Sequence, residues 1–537
     1  MISLYGYVIN NVCLSINASV KEAFSVVRRK LRGLGVSDGD IELSVFRRSI
    51  DARKKNDIKF VYSICARLPY PLSDGILSSN RDIAVLVEER PEFLQYSGDR
   101  FERIVVIGAG PCGMFCALSL AESGYPVTLI DRGQGIEERS QSVELFKTMG
   151  ILDPNSNIQF GAGGAGTFSD GKLVTRINDP YSNFVLSRLC DFGAPQEILY
   201  QAKPHIGTDI LTKVVTGILR RITELGGEVL MNTRATGFRS SLGRITAVMT
   251  DKGDIGCTRC VMAIGHSARD TYSILIGMGM DIMAKPFSVG MRIEHPVELI
   301  DRGLYGDFAG HPALGHGEYN LSYDTKNRGV YTFCMCPGGE VVAAASEHYG
   351  VAVNGMSHHA RNGRNSNSAV VCSVFTEDYG NTPTSAIEFQ RRIERAAYTA
   401  GGGDYRAPIC TVGDFIDGRY GTEPTDVIPT YRNGEGVTLS SPEKYLPDFI
   451  TSSIRRGILD FEKKLPGFAS RSSILTGAET RTSAPVRILR DSKSKLANGY
   501  TNLYPSGEGA GYAGGITSAA IDGLRTAVAI MNAIASE

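Results

Sequence analysis

The stretch Ile104-Val-Val-Ile-Gly-Ala-Gly-Pro-Cys-Gly113 constrains this chain more than any other. Four β-branched residues run into Gly108-x-Gly110-x-x-Gly113, and the helix-prone Met114-Phe-Cys-Ala-Leu-Ser-Leu-Ala-Glu122 follows. That order reads as strand, tight turn and helix. Gly108 allows the sharp turn, Gly110 lets the backbone approach a pyrophosphate, and Gly113 lets helix and strand pack closely. The helix N-terminus offers its unpaired N–H groups to the anion. A second apolar strand, Tyr125 to Asp131, ends in a carboxylate 18 positions beyond Gly113, where a ribose hydroxyl is held in such folds. The spacing predicts an α/β dinucleotide-binding sheet.

A chain of 537 residues is long enough for several domains with cores of their own. Its 57 basic residues balance 57 acidic ones, so no global field argues for nucleic acid or an acidic membrane surface. No apolar run reaches the roughly 18 residues that span a bilayer. Residues Met1 to Asn10 lack the basic and apolar regions of a secretory signal, so a cytoplasmic protein with no membrane partner is expected. Eleven cysteines in so long a chain are not a small-domain disulfide framework and are expected as free thiols. The 61 glycines cluster in a few loops, which marks places where backbone approaches a ligand.

Residues 1–90 read as a small ferredoxin-like α/β unit, with strands at Ile2 to Ile9, Ile41 to Ser49 and Ile58 to Leu68. Its helix, Val20 to Leu34, starts at a Ser19/Glu22 capping box. Basic residues at 28–32, 47–48 and 53–55 read first as a solvated face, because no aromatic-interleaved recognition motif accompanies them. Residues 100–275 form the first part of the dinucleotide-binding domain, with a loop-rich excursion at 134–205. They end in a three-stranded meander and the apolar strand that closes at Gly265. Residues 276–475 carry no second fingerprint. Their mixed short strands, with helices near Ala386 to Ala400 and Pro447 to Lys464, read as an inserted α+β substrate or cap domain. Residues 476–537 return to the dinucleotide site with Gly507-Glu508 and the helix-opening Gly514-Gly515-Ile516.

The early fingerprint, the mid-chain strand ending in Gly265 and the late Gly-Glu turn together resemble the glutathione-reductase-like FAD-binding fold. Further motifs at Asn155 to Leu173, Lys203 to Asp209, Gly265 to Asp270, Lys285 to Gly290, Phe333 to Gly339 and Glu479 to Arg487 are similar to a family of bacterial and plastid FAD-dependent dehydrogenase-like proteins. The resemblance covers most of the chain from about residue 85. It implies bound FAD, with Gly108, Gly110, Gly113, Asp131 and Arg132 on its adenosine-diphosphate half. Gly163, Gly164, Ala165, Gly166 and Thr167 would line the phosphate or flavin, and Ala235 would meet the adenine through its backbone. Glu508 with Gly514, Gly515 and Ile516 would hold ribityl and isoalloxazine. Ala109, Pro111, Cys112, Arg139, Lys172, Gly265 and Gly507 complete the implied cofactor site. The late helix would point its N-terminus at the flavin edge that becomes negative on reduction. Asp131 stands where this fold commonly carries Glu.

Candidates for chemistry are fewer. Cys334 and Cys336 lie two apart on a strand and share a face, where thiols more often pack than react. Cys257 and Cys260 form a C-x-x-C without a partner pair, so no metal is expected. His205, His266 and His295 are general acid or base candidates, set against a role buttressing loops. Lys172 and Arg481 are cations that could contact phosphate, flavin or an anionic substrate. The expected function is an FAD-dependent oxidoreductase moving hydride or electrons between FAD and a small-molecule substrate, which NAD(P)H could feed. The alternatives are an FAD-dependent monooxygenase, or an FAD-bearing factor that contacts RNA or protein through residues 1–90.

Overall fold

The computed structural model describes residues 4–37, 41–87, 89–175, 179–324 and 327–537. Ile104–Ile107 and Val127–Ile130 are buried at every position, as strands covered on both faces must be. They are neighbours in a five-stranded parallel sheet, ordered Leu503–Pro505, Arg259–Met262, Ile104–Ile107, Val127–Ile130, Glu228–Leu230. Chain order runs outward in opposite directions from Ile104–Ile107, so a switch point lies at its carboxyl end, where α/β sheets bind ligands. The fingerprint helix Pro111–Glu122 packs against the C-terminal helix Ile516–Ser536. Their close approach needs Gly523, whose Cβ would stand 2.1 Å from the carbonyl oxygen of Cys112. The expected meander is an antiparallel sheet of Ala235–Ser241, Arg244–Thr250 and Gly253–Gly256.

A seven-stranded sheet follows, ordered Ser322–Asp324, Gly329–Cys336, Asn365–Val374, Phe287–Pro296, Ile474–Glu479, Ala407–Thr411, Val437–Leu439. Helices Pro383–Gly401 and Asp448–Lys464 cover it, seating Phe389, Ile393, Ile454 and Ile458 in one apolar cluster with Val289, Met291, Val370 and Cys372. The second of these helices starts one residue later than expected, with Pro447 as its cap. Ile474–Glu479 pairs with Phe287–Pro296, so this sheet continues past residue 475.

The N-terminal strands Tyr5–Ser15, Glu42–Asp51, Lys59–Leu68 and Ile83–Val85 form an antiparallel sheet in which Lys59–Leu68 and Tyr5–Ser15 are central. The start of the expected first strand, at Ile2 and Ser3, lies outside the described residues. The strand runs on to Ser15 through a register shift at Asn11, whose φ of +59° asparagine tolerates well. Glu22 accepts from the Ser19 N–H at 2.8 Å, closing the capping box. This unit docks through backbone hydrogen bonds of Arg48 with Tyr200 and Ala202, and through Tyr305 and Leu314, which join its core. Among the described residues, no helix is long and apolar enough to cross a membrane.

Candidate functional site

At the switch point lies a cavity of about 300 Å³. The fingerprint and C-terminal glycines around it divide into two kinds. A Cβ on Gly108 would stand 2.3 Å from the Ala263 carbonyl oxygen, and one on Gly113 would stand 1.9 Å from that of Gly108, so both serve the chain's own packing. A Cβ on Gly110 would meet nothing nearer than Gly164 Cα at 3.8 Å, and one on Gly514 would point into open space. No neighbouring group of the protein requires glycine there, whereas a ligand lying against the backbone would. The N-termini of Pro111–Glu122 and Ile516–Ser536 both open onto this space and bring their partial positive charge to it.

Charge in the wall is arranged in three groups. Burial pushes the Glu508 carboxyl up to about 7, opposed by a hydrogen bond from the Gly515 N–H and by Lys285. Arg481 is pinned by Glu394 at 2.7 and 2.9 Å, and the same carboxylate takes two bonds from Arg269 at 2.8 Å each. Arg481 Nη1 remains buried without an acceptor. Lys172 contacts Asp170 at 3.1 Å and Glu318 at 3.3 Å, and Arg361 bridges the same two acids at 2.6 Å each. Burial works against the charge on Lys172, but the two acids outweigh it and leave its pKa raised. His266 is driven the other way, to about 3, by burial and by the nearby Arg481 and Arg269, so its ring is neutral. Its Nδ1 lies 2.8 Å from Ser267 Oγ.

Most of the sequence candidates converge here. The lining includes Gly108, Gly110, Pro111, Cys112 and Asp131 from the fingerprint, Gly164, Ala165, Gly166 and Lys172 from the glycine-rich loop, and Gly265 and His266 from mid-chain. Cys334, Arg481, Glu508, Gly514, Gly515 and Ile516 line it as well. Asp131 does not stand free: its carboxylate accepts from the N–H groups of Ala109 and Gly133, each at 2.8 Å, and so ties two turns together.

Other candidates lie outside the lining, each for a visible reason. Ala109 and Gly113 are beneath the turn. Arg132 reaches Asp270 at 2.7 Å and lies over the Phe160 ring. Arg139 is fully buried and donates to the carbonyls of Asn157, Ile158, Ala162 and Gly164, which makes it the organiser of the glycine-rich loop. Gly163 and Thr167 pack against each other under that loop, and Ala235 sits in the apolar cluster of Ile130 and Val248. Gly507 turns its N–H to Asp522 at 2.7 Å. His295 is in the core of the seven-stranded sheet, where Nε2 donates to the Phe468 carbonyl at 2.7 Å and burial lowers its pKa to about 4. Sequence reasoning missed Asn354 as a lining residue, since no local pattern singles it out; Thr482 lies within the Glu479 to Arg487 motif.

A second cavity, of about 640 Å³, adjoins the first and shares Val174, Phe333, Thr482 and Gly514 with it. Among the described residues its lining carries Lys285 and Arg487 and no carboxylate. Elsewhere, the N-terminal basic residues are partly engaged within the protein. Arg48 lies over Phe60 and Tyr200, Arg53 pairs with Asp51, and Lys30 pairs with Asp82 at 3.2 Å.

Residues 102–263 match the model of an FAD binding domain, and residues 286–482 match that of the FAD-dependent protein, C-terminal domain-like family. An uncharacterized protein of Clostridium beijerinckii (strain ATCC 51743 / NCIMB 8052) is 44% identical over 524 residues, covering 96% of this chain and 97% of its own. The chain belongs to the family of FAD-dependent proteins. Residues 9–66 also match a domain of unknown function. Two solved structures are distantly similar. Glycine oxidase from Bacillus cereus ATCC 14579 is 10% identical, with 81% of this chain and 96% of that one covered and a TM-score of 0.31. A geranylgeranyl bacteriochlorophyll reductase-like protein from Thermoplasma acidophilum is 13% identical, with 81% and 79% covered and a TM-score of 0.35.

The cavity fits FAD on its own terms. It offers glycine backbone with unfilled Cβ space at Gly110 and Gly514, two helix N-termini, an orphaned guanidinium donor at Arg481 and a half-buried acceptor at Glu508.

Proposed function

We propose that this flavoprotein is an oxidoreductase that passes a hydride or an electron pair between bound FAD and a small molecule, with NAD(P)H visiting as the reductant. The observation that carries the reading is the meeting of two cavities at Phe333, Thr482 and Gly514. The glycine-cradled one suits the cofactor, and its neighbour suits a reactant. When bound, FAD supplies the hydride chemistry.

The chain's own residues orient and polarise. Gly110 and the N-terminus of Pro111–Glu122 receive the pyrophosphate, and Asp131 keeps lone pairs for a ribose hydroxyl beyond those used by Ala109 and Gly133. Glu508 accepts from the ribityl chain. The N-terminus of Ile516–Ser536 and the free Nη1 of Arg481 favour negative charge on the flavin edge. Neutral His266 serves as a hydrogen-bond partner and takes up no proton near pH 7. Lys285 and Arg487, both in the wall of the second cavity, favour an anionic reactant.

The parallel sheet with its switch point supports a glutathione-reductase-like arrangement of residues 100–275 with 476–537 around a cap at 276–475. The strand order in residues 1–90 supports a ferredoxin-like unit. Anaerobic titration with NADH and NADPH, followed by visible absorbance, tests the reading. Bleaching of the flavin within seconds is expected. A flavin that neither nucleotide reduces removes NAD(P)H from the scheme, and a protein that takes up no FAD overturns the whole.

A further inference from the structure

In a regular strand, residues two apart share a face with Cα atoms separated by roughly 6.6 Å, at the far end of the range a disulfide spans. Cys334 and Cys336 are not in a regular strand. The ladder between Gly329–Cys336 and Asn365–Val374 shifts register between Phe333 and Cys336, and Cys334 has φ +46°. Left-handed backbone costs a residue with a Cβ about 1 kcal/mol or more, and such outliers gather where function requires them. The bulge brings the Cys336 thiol back onto its neighbour, so that Sγ donates to the Cys334 carbonyl at 3.3 Å.

The two sulfurs are unlike in their surroundings. Cys334 is half-buried in the wall of the FAD cavity, near Arg481 and Lys172, while Cys336 is fully buried behind it. Arg292 donates to the Cys334 carbonyl at 3.1 Å and is itself fixed by two bonds to Glu479 at 3.0 and 3.1 Å. The neighbouring Cys336 thiol, then Arg292 and Lys172, favour thiolate at Cys334 against the effect of burial, and Cys336 is pushed up. The cavity's other thiol, Cys112, is pushed to about 12 by burial and by Asp522, and donates to Ser506. Cys334 therefore has the character of an attacking sulfur and Cys336 that of its resolving partner.

We propose that Cys334 and Cys336 form a redox-active dithiol–disulfide pair that exchanges two electrons with the FAD held in the same cavity and acts on small-molecule disulfides. The proposal rests on the oxidoreductase reading above. In the reductive direction the Cys334–Cys336 bond breaks as the pair accepts two electrons and one proton from FAD reduced by NAD(P)H, giving thiolate at Cys334 and thiol at Cys336. The Cys334 thiolate then attacks a disulfide RSSR, forming a mixed disulfide and releasing RS⁻. Cys336 gives up its proton and attacks Cys334 Sγ, re-forming the internal bond and releasing the second half as RSH.

The test is an anaerobic dithionite titration of diamide-oxidised holoprotein, with samples alkylated by iodoacetamide and mapped by peptide mass. Wild type is expected to consume two electron equivalents beyond those that bleach the flavin. Cys334 and Cys336 should be protected from alkylation before reduction and modified after it. Cys334→Ser and Cys336→Ser, each checked for FAD content, should consume only the flavin's equivalents. A long-wavelength charge-transfer absorbance is expected in half-reduced wild type and should vanish in Cys334→Ser. Wild type that stops at the flavin's own equivalents, with both cysteines alkylated in the oxidised state, overturns the proposal. If nicotinamide still bleaches that flavin, the oxidoreductase reading stands alone; a protein that takes up no FAD overturns both.

Discussion

Replacing Glu508 by Gln should make the FAD-free protein more stable and its hold on FAD weaker. The carboxyl is half-buried in the cavity wall and ionises at about 7 in the fold against about 4.5 when solvated. Between those values the unfolded chain has released its proton while the native state still holds it. The unfolded state therefore binds fewer protons, and stability falls as pH rises through this window. The shift corresponds to roughly 3 kcal/mol lost near pH 8 and under about 1 kcal/mol near pH 5. Gln keeps an oxygen for the Gly515 N–H and never ionises, so Glu508→Gln should recover most of that loss near pH 8 and little near pH 5. Cofactor binding should move oppositely, because a neutral amide is a weaker acceptor than a carboxylate by about 1 kcal/mol, or about fivefold in Kd. With no tryptophan in the chain, far-ultraviolet circular dichroism in urea is the stability assay, and flavin fluorescence reads the Kd. A variant no more stable than wild type near pH 8, or equally stabilised at both pH values, would refute the reasoning.

The glycines separate by their neighbours: Gly110→Ala and Gly514→Ala should leave apoprotein stability within about 1 kcal/mol and cut FAD affinity, whereas Gly113→Ala, with its Cβ 1.9 Å from a carbonyl oxygen, should lower the urea midpoint strongly. Glu394→Gln leaves Arg269 and Arg481 sharing too little buried negative charge and should cost about 3–5 kcal/mol. Burial raises the Glu394 pKa but its two arginines hold it below the usual carboxylate range, so its contribution is complete above that range and disappears as pH falls through the folded value. The variant should accordingly flatten the acid limb of a stability–pH profile measured by urea midpoint. Arg139→Met removes the donor to four loop carbonyls and should abolish FAD retention through gel filtration while the circular dichroism spectrum persists.

The sequence by itself determined whatever depends on neighbours within a few positions. A continuous β-branched run specified Ile104–Ile107 and a run rich in β-branched residues specified Val127–Ile130 as two-faced strands, and the Ser19/Glu22 pair specified a helix start. Glycine spacing specified a turn able to take a pyrophosphate, and Glu508 with Gly514 announced a second approach to the same ligand. These signals survive in one dimension because turn geometry, capping and strand burial are local. The tertiary structure alone decided what depends on distant partners. Arg292 meets Glu479 across 187 residues and Arg269 meets Glu394 across 125, and neither pairing has a periodicity to betray it. Gly-x-Gly spacing could not show that Gly113 serves helix packing while Gly110 leaves room for a ligand. Nor could the neighbours of His295 show that it faces a core. The two cysteines make the point most plainly: alternation places them side by side on a strand, but a bulge forms only when a strand is paired, so the register against Asn365–Val374 turned the Cys336 thiol onto the Cys334 carbonyl.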